Sequence, residues 1–243
     1  RDSSNVARSR NDAYDTLPTY SNSKNALIVG AVNAMTAAPN ASSAIQMSSF
    51  SSWGPTDDGR IKPDISGVGV GVLSTSSNGG YASLSGTSMS SPHVAGSLFL
   101  LQELYSQLND KQFMRSATLK GLVIHTAEEA GDAAGPDYRF GWGFLNVEKA
   151  AKVIQNTDKN HLLLEKVLAQ GETFSQQVIA SGNGPLVATI AWTDPDSEAT
   201  TVSAANLNNR TPKLINDLDI RISDGSTTLL PWVLDPEKPS QAA

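Results

Sequence analysis

The 243 residues are 39% apolar, 17% charged and 6% aromatic, with no cysteine and a net charge of −6. That length exceeds one domain of about 100–200 residues, and the apolar share excludes a wholly disordered chain. The charge argues against nucleic-acid binding by general electrostatics, no apolar run approaches the ~18 residues of a membrane span, and the missing cysteines exclude disulfides, thiolate metal sites and a cysteine nucleophile.

In chain order, residues 1–24 are polar and read as loop, and the first of them is arginine rather than methionine, so a processed or partial chain is expected. Residues 26–32 form a short apolar run that suits a strand buried on both faces. A second strand is expected over 45–51, ending at the turn formers of 53–59. Weaker strands are expected at 72–75 and 81–84 around Asn78-Gly79-Gly80. A helix begins near Ser88, with Pro92 in its first turn, and Val94, Leu98, Leu101, Tyr105 and Leu108 fall on one face. Further helices are expected from Ser116 to about Ala127 and from Asn146, a good N-cap, through Ile154. Strands followed by helices predict an α/β layer over residues 1–157. From 158 to 243 the pattern changes to short alternating runs at 161–168, 173–180, 186–193 and 214–222. Turn signals at Gln170-Gly171, Ser181-Gly182-Asn183-Gly184 and Asp224-Gly225 separate them. These runs predict part of an antiparallel β-sandwich or jelly roll, with too few strands to close.

The stretch Ser85-Gly86-Thr87-Ser88-Met89-Ser90-Ser91-Pro92-His93-Val94-Ala95-Gly96 carries the chemistry. It places a serine at a helix start, behind a glycine that permits close backbone approach. Unpaired N–H groups and a partial positive charge gather there, so an oxyanion forming beside Ser88 meets a main-chain donor. Position alone equally suits Ser88 as an ordinary helix cap.

Residues 86–96 resemble the G-T-S-M-[AS]-x-P-H-V-A-G signature of subtilisin-like serine proteases. Leu27-Ile28-Val29-Gly30-Ala31-Val32, Phe50-Ser51-Ser52-Trp53-Gly54-Pro55, Asp58-Gly59-Arg60-Ile61-Lys62-Pro63-Asp64 and Gly141-Trp142-Gly143-Phe144-Leu145-Asn146-Val147 follow the same family in order. Ala191-Trp192-Thr193-Asp194 and Leu214-Ile215-Asn216-Asp217-Leu218-Asp219 are similar to the C-terminal β-barrel of alkaline members. The resemblance implies a secreted endopeptidase with a polypeptide substrate, and a subtilisin-like parallel sheet with flanking helices. Ser88 is then the nucleophile that forms an acyl-enzyme, and its N–H supplies half of an oxyanion hole. Ser85, Gly86, Thr87 and Met89 line the rim, and oxidation of Met89 is expected to impair the site. His93, five residues past Ser88 on the same helix, reads as structural, because a base approaches from a separate segment.

The family orders its triad Asp, His, Ser. The three histidines here, His93, His125 and His161, all follow Ser88, and no D-[ST]-G, H-G-T or A-A-G-N element occurs. Asn5 lacks the context of an oxyanion asparagine. The catalytic Asp and His are therefore expected upstream, in a missing N-terminal half of the catalytic domain, leaving these residues inactive alone. Gly67-Val68-Gly69 replaces the usual A-P-G, and Ser85 replaces a common asparagine. Two other readings stay open. One is a G-x-S-x-G elbow hydrolase using Asp137 and His161. The other is a non-catalytic relative or a calcium-binding β-sandwich module. Alternation over 214–222 puts Asp217 and Asp219 on one strand face, roughly 7 Å apart. With Asp194 they would make an oxygen-rich site for structural Ca²⁺, which the resemblance favours; an ordinary solvated face is the alternative. No organic cofactor, nucleic acid or membrane partner is expected.

Overall fold

The computed structural model describes residues 14–243 apart from positions 78, 158, 181, 183, 202 and 207. The readings placed on Asn5 and the rest of 1–13, on Asn78, and on Ser181 and Asn183 lie outside the described residues.

A parallel pair of strands underlies everything else. Strand β1 (Val29–Val32) runs beside β2 (Ile65–Val68), with Val29 opposite Ile65 and Val32 opposite Val68. The apolar run predicts β1 because both of its faces are covered, and Gly30, Ala31 and Val32 are buried. Nothing local predicts strand β2, since Ile65-Ser66-Gly67-Val68 has two small polar or bare positions among its four. Partners on both edges make it a strand. β1 lies on one side, and on the other Ser66 N–H donates to Gly143 O (2.9 Å) while Leu145 N–H donates to Ser66 O (3.0 Å).

The strand expected over 45–51 does not form. Ile45 is buried with Val32, Ala130 and Phe140, and only Met47 bridges to Val32. Backbone pairing with β1 stops at that bridge, where Asn33 N–H donates to Gln46 O (2.9 Å), and beyond it the Ser51 hydroxyl competes for the backbone. Ala31 N–H donates to Ser51 Oγ (3.0 Å), and Ser48 N–H donates to Ala31 O (3.0 Å). Farther on, β3 (Val72–Thr75) and β4 (Tyr81–Leu84) form the expected antiparallel hairpin.

Helix α1 (Thr87–Leu108) rises directly from that hairpin. Val94 and Leu101 are buried in the main core, with Leu98 and Tyr105 packed against it. Leu108, expected on the same face, is exposed. Pro92 is the sixth helical residue rather than part of the first turn, so it withdraws the N–H that would have met the Ser88 carbonyl. Helix α2 (Ser116–His125) and helix α3 (Val147–Gln155) complete the core through Leu122, Val123, Ala150, Val153 and Ile154. Asn146 caps α3 as expected, its Oδ1 accepting from Lys149 N–H (2.8 Å).

Beneath the start of β2 lies a buried charge cluster. Asp64 Oδ2 accepts from Lys62 Nζ (2.6 Å) and from Ile28 N–H (2.7 Å), and its Oδ1 faces Lys120 Nζ at 2.8 Å. Burial pushes the Lys62 ammonium down to about 8, against the pull of Asp64. Between about 8 and the ordinary lysine value near 10.4, the unfolded chain holds a proton that the folded chain has released. Stability contributed through Lys62 therefore rises with pH across that window. Urea unfolding from pH 8 to 10 is expected to show this slope, and Lys62→Met should flatten it. Parallel profiles for the two proteins would contradict the assignment.

The antiparallel sheet expected over 158–243 is not formed among the described residues. Only a two-residue hairpin appears, β5 (Ile222–Ser223) with β6 (Thr228–Leu229), around the expected turn at Asp224-Gly225. Alternation sets which side chains share a face, but it cannot supply the neighbouring strand. Val167, Ile179 and Val187 accordingly remain exposed. No helix among the described residues is long and apolar enough to cross a membrane.

Candidate active site

The amino end of α1 is held against the sheet by glycines and one hydroxyl. A Cβ on Gly67 would lie 2.7 Å from Val94 Cγ2, and one on Gly69 would lie 2.8 Å from Gly86 O, so bare backbone is what lets helix and strand approach. The Ser90 hydroxyl, fully buried, is shared between the carbonyls of Gly30 (2.8 Å) and Gly67 (2.9 Å). Gly86 N–H donates to Gly69 O (2.8 Å), and Gly71 N–H donates to Ser85 Oγ (2.9 Å). The base of the hairpin and the first turn of the helix are thus fixed to the end of β2. Ser90 was legible only as a motif letter. A polar residue inside the first turn, two places past the candidate serine, was the available signal.

Ser88 is the second residue of α1 and is exposed, as are Ser85 and Thr87; Gly86 and Met89 are half-buried. It is not the cap. Gly86 holds that position, its carbonyl accepting from Met89 N–H (3.0 Å) and Ser90 N–H (3.2 Å). The N–H groups of Thr87 and Ser88 have no backbone partner among the described residues. A 22-residue helix carries roughly half a positive charge at this end, so hydroxyl and open donors stand together where negative charge is favoured.

No base joins them. His93 is exposed, with Nδ1 3.4 Å from Val68 O. His125 Nδ1 lies 3.0 Å from Thr189 Oγ1 at the end of α2; burial, and then the nearby His161, hold its pKa below the ordinary value. Asp137 Oδ1 accepts from the amides of Arg139 (2.7 Å) and Phe140 (2.6 Å), while burial raises its pKa. No hydrogen bond among the described residues links Ser88, Asp137 and His161, so the elbow-type arrangement is not assembled.

The three aspartates proposed for calcium are not brought together, and among the described residues no three acidic or histidine side chains are grouped for a metal. Asp194 is buried and paired with Lys24 Nζ at 2.5 Å, and it accepts from two backbone amides. A carboxylate already neutralised by an ammonium does not fit a Ca²⁺ ligand. Asp217 is exposed, and Asp219 is exposed at 3.5 Å from Arg221.

Comparison with known proteins gives the lineage. The family model described as "Subtilase family" matches residues 5–143. A stretch of 63 residues, 26% of this chain and 6% of the relative, is 57% identical to C5a peptidase of Streptococcus pyogenes serotype M18 (strain MGAS8232). A stretch of 79 residues, 32% of this chain and 4% of the relative, is 40% identical to the PII-type proteinase of Lactococcus lactis subsp. cremoris. Each match thus spans only a small part of these much longer proteins. Among solved structures, the Clostridium perfringens CspB protease superposes with a TM-score of 0.51 at 28% identity, over 59% of this chain and 30% of that one.

Proposed function

Because the chain belongs to the subtilase family, we propose that it forms the nucleophile-bearing part of a serine endopeptidase, with Ser88 as the attacking residue. The observation that carries this reading is the exposed Ser88 hydroxyl beside its own N–H at the start of α1, which has no backbone partner among the described residues. Attack on a peptide carbonyl forms an ester to Ser88 Oγ and expels the amine, and water then releases the acid. The Ser88 amide steadies the oxyanion in both steps, with Ser85, Gly86, Thr87 and Met89 forming the surrounding rim.

The proton acceptor is assigned to polypeptide outside these 243 residues, since none of His93, His125 and His161 is hydrogen-bonded to Ser88. The outward side of α1 supports that assignment. Pro92, Ala95, Gly96, Phe99 and Leu100 are exposed along it, and Phe99 is 76% exposed. A helix apolar on both sides is built to be covered on both. Residues 158–243 are read as the opening strands of a β-sandwich completed by further chain, which would cover Val167, Ile179 and Val187. Calcium at Asp194 is not part of this reading.

Labelling with a fluorophosphonate tests it. The full-length protein should be labelled at Ser88, and Ser88→Ala should lower the labelling rate by about 10⁴-fold or more, as expected on removing a nucleophile. Equal labelling of both proteins moves the nucleophile elsewhere. No labelling of the folded wild type makes this a non-catalytic relative.

A further inference from the structure

Three stretches far apart in sequence meet at one buried charge. Asp194, only 3% exposed, pairs through Oδ2 with Lys24 Nζ (2.5 Å) and accepts there from Ile215 N–H (3.0 Å), while Oδ1 accepts from Asn216 N–H (2.8 Å). The Lys24 ammonium spends its other protons on the carbonyls of Pro195 and Lys213. Every donor of that lysine is thereby matched by an acceptor. Beside it, Asn25 Nδ2 donates to Asp194 O (2.9 Å) and Asp194 N–H donates to Asn25 Oδ1 (3.0 Å), so a side chain stands in for a strand neighbour. Lys120 Nζ, already on Asp64, also donates to Lys24 O (3.2 Å), which ties the cluster to the underside of β1 and β2.

More contacts follow the same seam. Ala191 meets Gly121 of α2, where a glycine Cβ would lie 3.0 Å away. Arg210 donates to Asp57 O (2.9 Å), and Pro236 packs on Gly59. Trp232 covers Gly135, where a Cβ would approach its ring to 2.9 Å.

We propose that the described residues of 189–237 are a strap bound to the α/β layer, with the Lys24–Asp194 pair as the contact that holds it closed. The strap makes the carboxy-terminal segment part of the same cooperative unit as the sheet under Ser88. Its hold comes from saturated polar contacts at a buried charge, because the apolar side chains of this segment remain largely exposed. Breaking such a pair from one side leaves an uncompensated buried charge, which is far worse than removing both members.

Hydrogen exchange of the full chain, read by mass spectrometry, tests this. In the wild type, amides at 194, 215 and 216 should exchange about as slowly as those of β1. In Lys24→Met, peptides covering 192–196 and 213–216 should exchange roughly tenfold faster or more, while α3 is unchanged. The double variant Lys24→Met with Asp194→Leu should recover part of that protection, as coupled partners do. Fast exchange at 194, 215 and 216 in the wild type would overturn the proposal, and so would unaltered exchange in Lys24→Met. Should Lys24→Met fail to fold, the wild-type measurement alone decides.

Discussion

Asp64→Ala is expected to destabilise the fold by about 3–5 kcal/mol, the usual cost of removing one partner from a buried ion pair. The substitution removes the acceptor for two ammonium groups and for the Ile28 amide at once. Lys62 is 2% exposed, and its ammonium keeps only the Ala26 carbonyl at 3.1 Å. Lys120 is left with the carbonyls of Lys24 and Ala26 at 3.2 and 3.4 Å. Lys62 can shed its proton, since burial already holds its pKa near 8, and that relief keeps the loss from growing larger. Asp64→Asn retains an acceptor and should cost less. Urea unfolding at pH 7 measures both. An Asp64→Ala protein within about 0.5 kcal/mol of wild type would show that the cluster contributes little.

Gly141→Ala should be comparably severe, for a steric reason. Gly141 has φ +68°, and a Cβ there would sit 2.2 Å from Pro63 O and 2.7 Å from the Asp64 carbonyl carbon. Both neighbours are main chain, so no side chain can turn aside. Backbone strain of roughly 1–3 kcal/mol adds to the clash. The displaced backbone is the part that aligns Trp142 N–H on Asp64 O (3.0 Å) and Gly143 O on Ser66 N–H (2.9 Å), so the outer edge of β2 moves with it. Gly80→Ala is the control, because nothing lies within 4 Å of that position on the exposed hairpin turn. A Gly141→Ala protein as stable as Gly80→Ala would show that this approach can relax.

These two sites differ in how far sequence could reach them. Lys62-Pro63-Asp64 and Gly141-Trp142-Gly143 are visible as motif letters, yet nothing local says that they touch. Asp64 is one acidic residue in a turn-rich stretch until Ile28 and Lys120 arrive from either side. The same holds for β2, whose Ser66 and Gly67 argue against a strand until β1 and Gly143 supply its edges. Conversely, 45–51 has the apolar character of a strand and pairs only at the Met47 bridge, because the Ser51 hydroxyl takes the Ala31 amide beyond it. In the carboxy-terminal third, alternation at 214–222 is present in sequence, but pairing among the described residues is confined to the hairpin across Asp224-Gly225. Asp194 has a partner that no local pattern announces, a lysine 170 residues away.

What the sequence determined by itself was whatever rests on neighbours along the chain. The helix start at Thr87, the cap at Asn146, the apolar run of β1 and the eleven-residue run around Ser88 are all local, since dihedral preferences and capping act within a few residues. Tertiary structure alone decided which charges are neutralised, which two carbonyls the Ser90 hydroxyl meets, and why glycines 67, 69 and 141 must lack a side chain. Those outcomes depend on groups separated by tens to hundreds of residues, and burial fixes their partners only once the layers have closed.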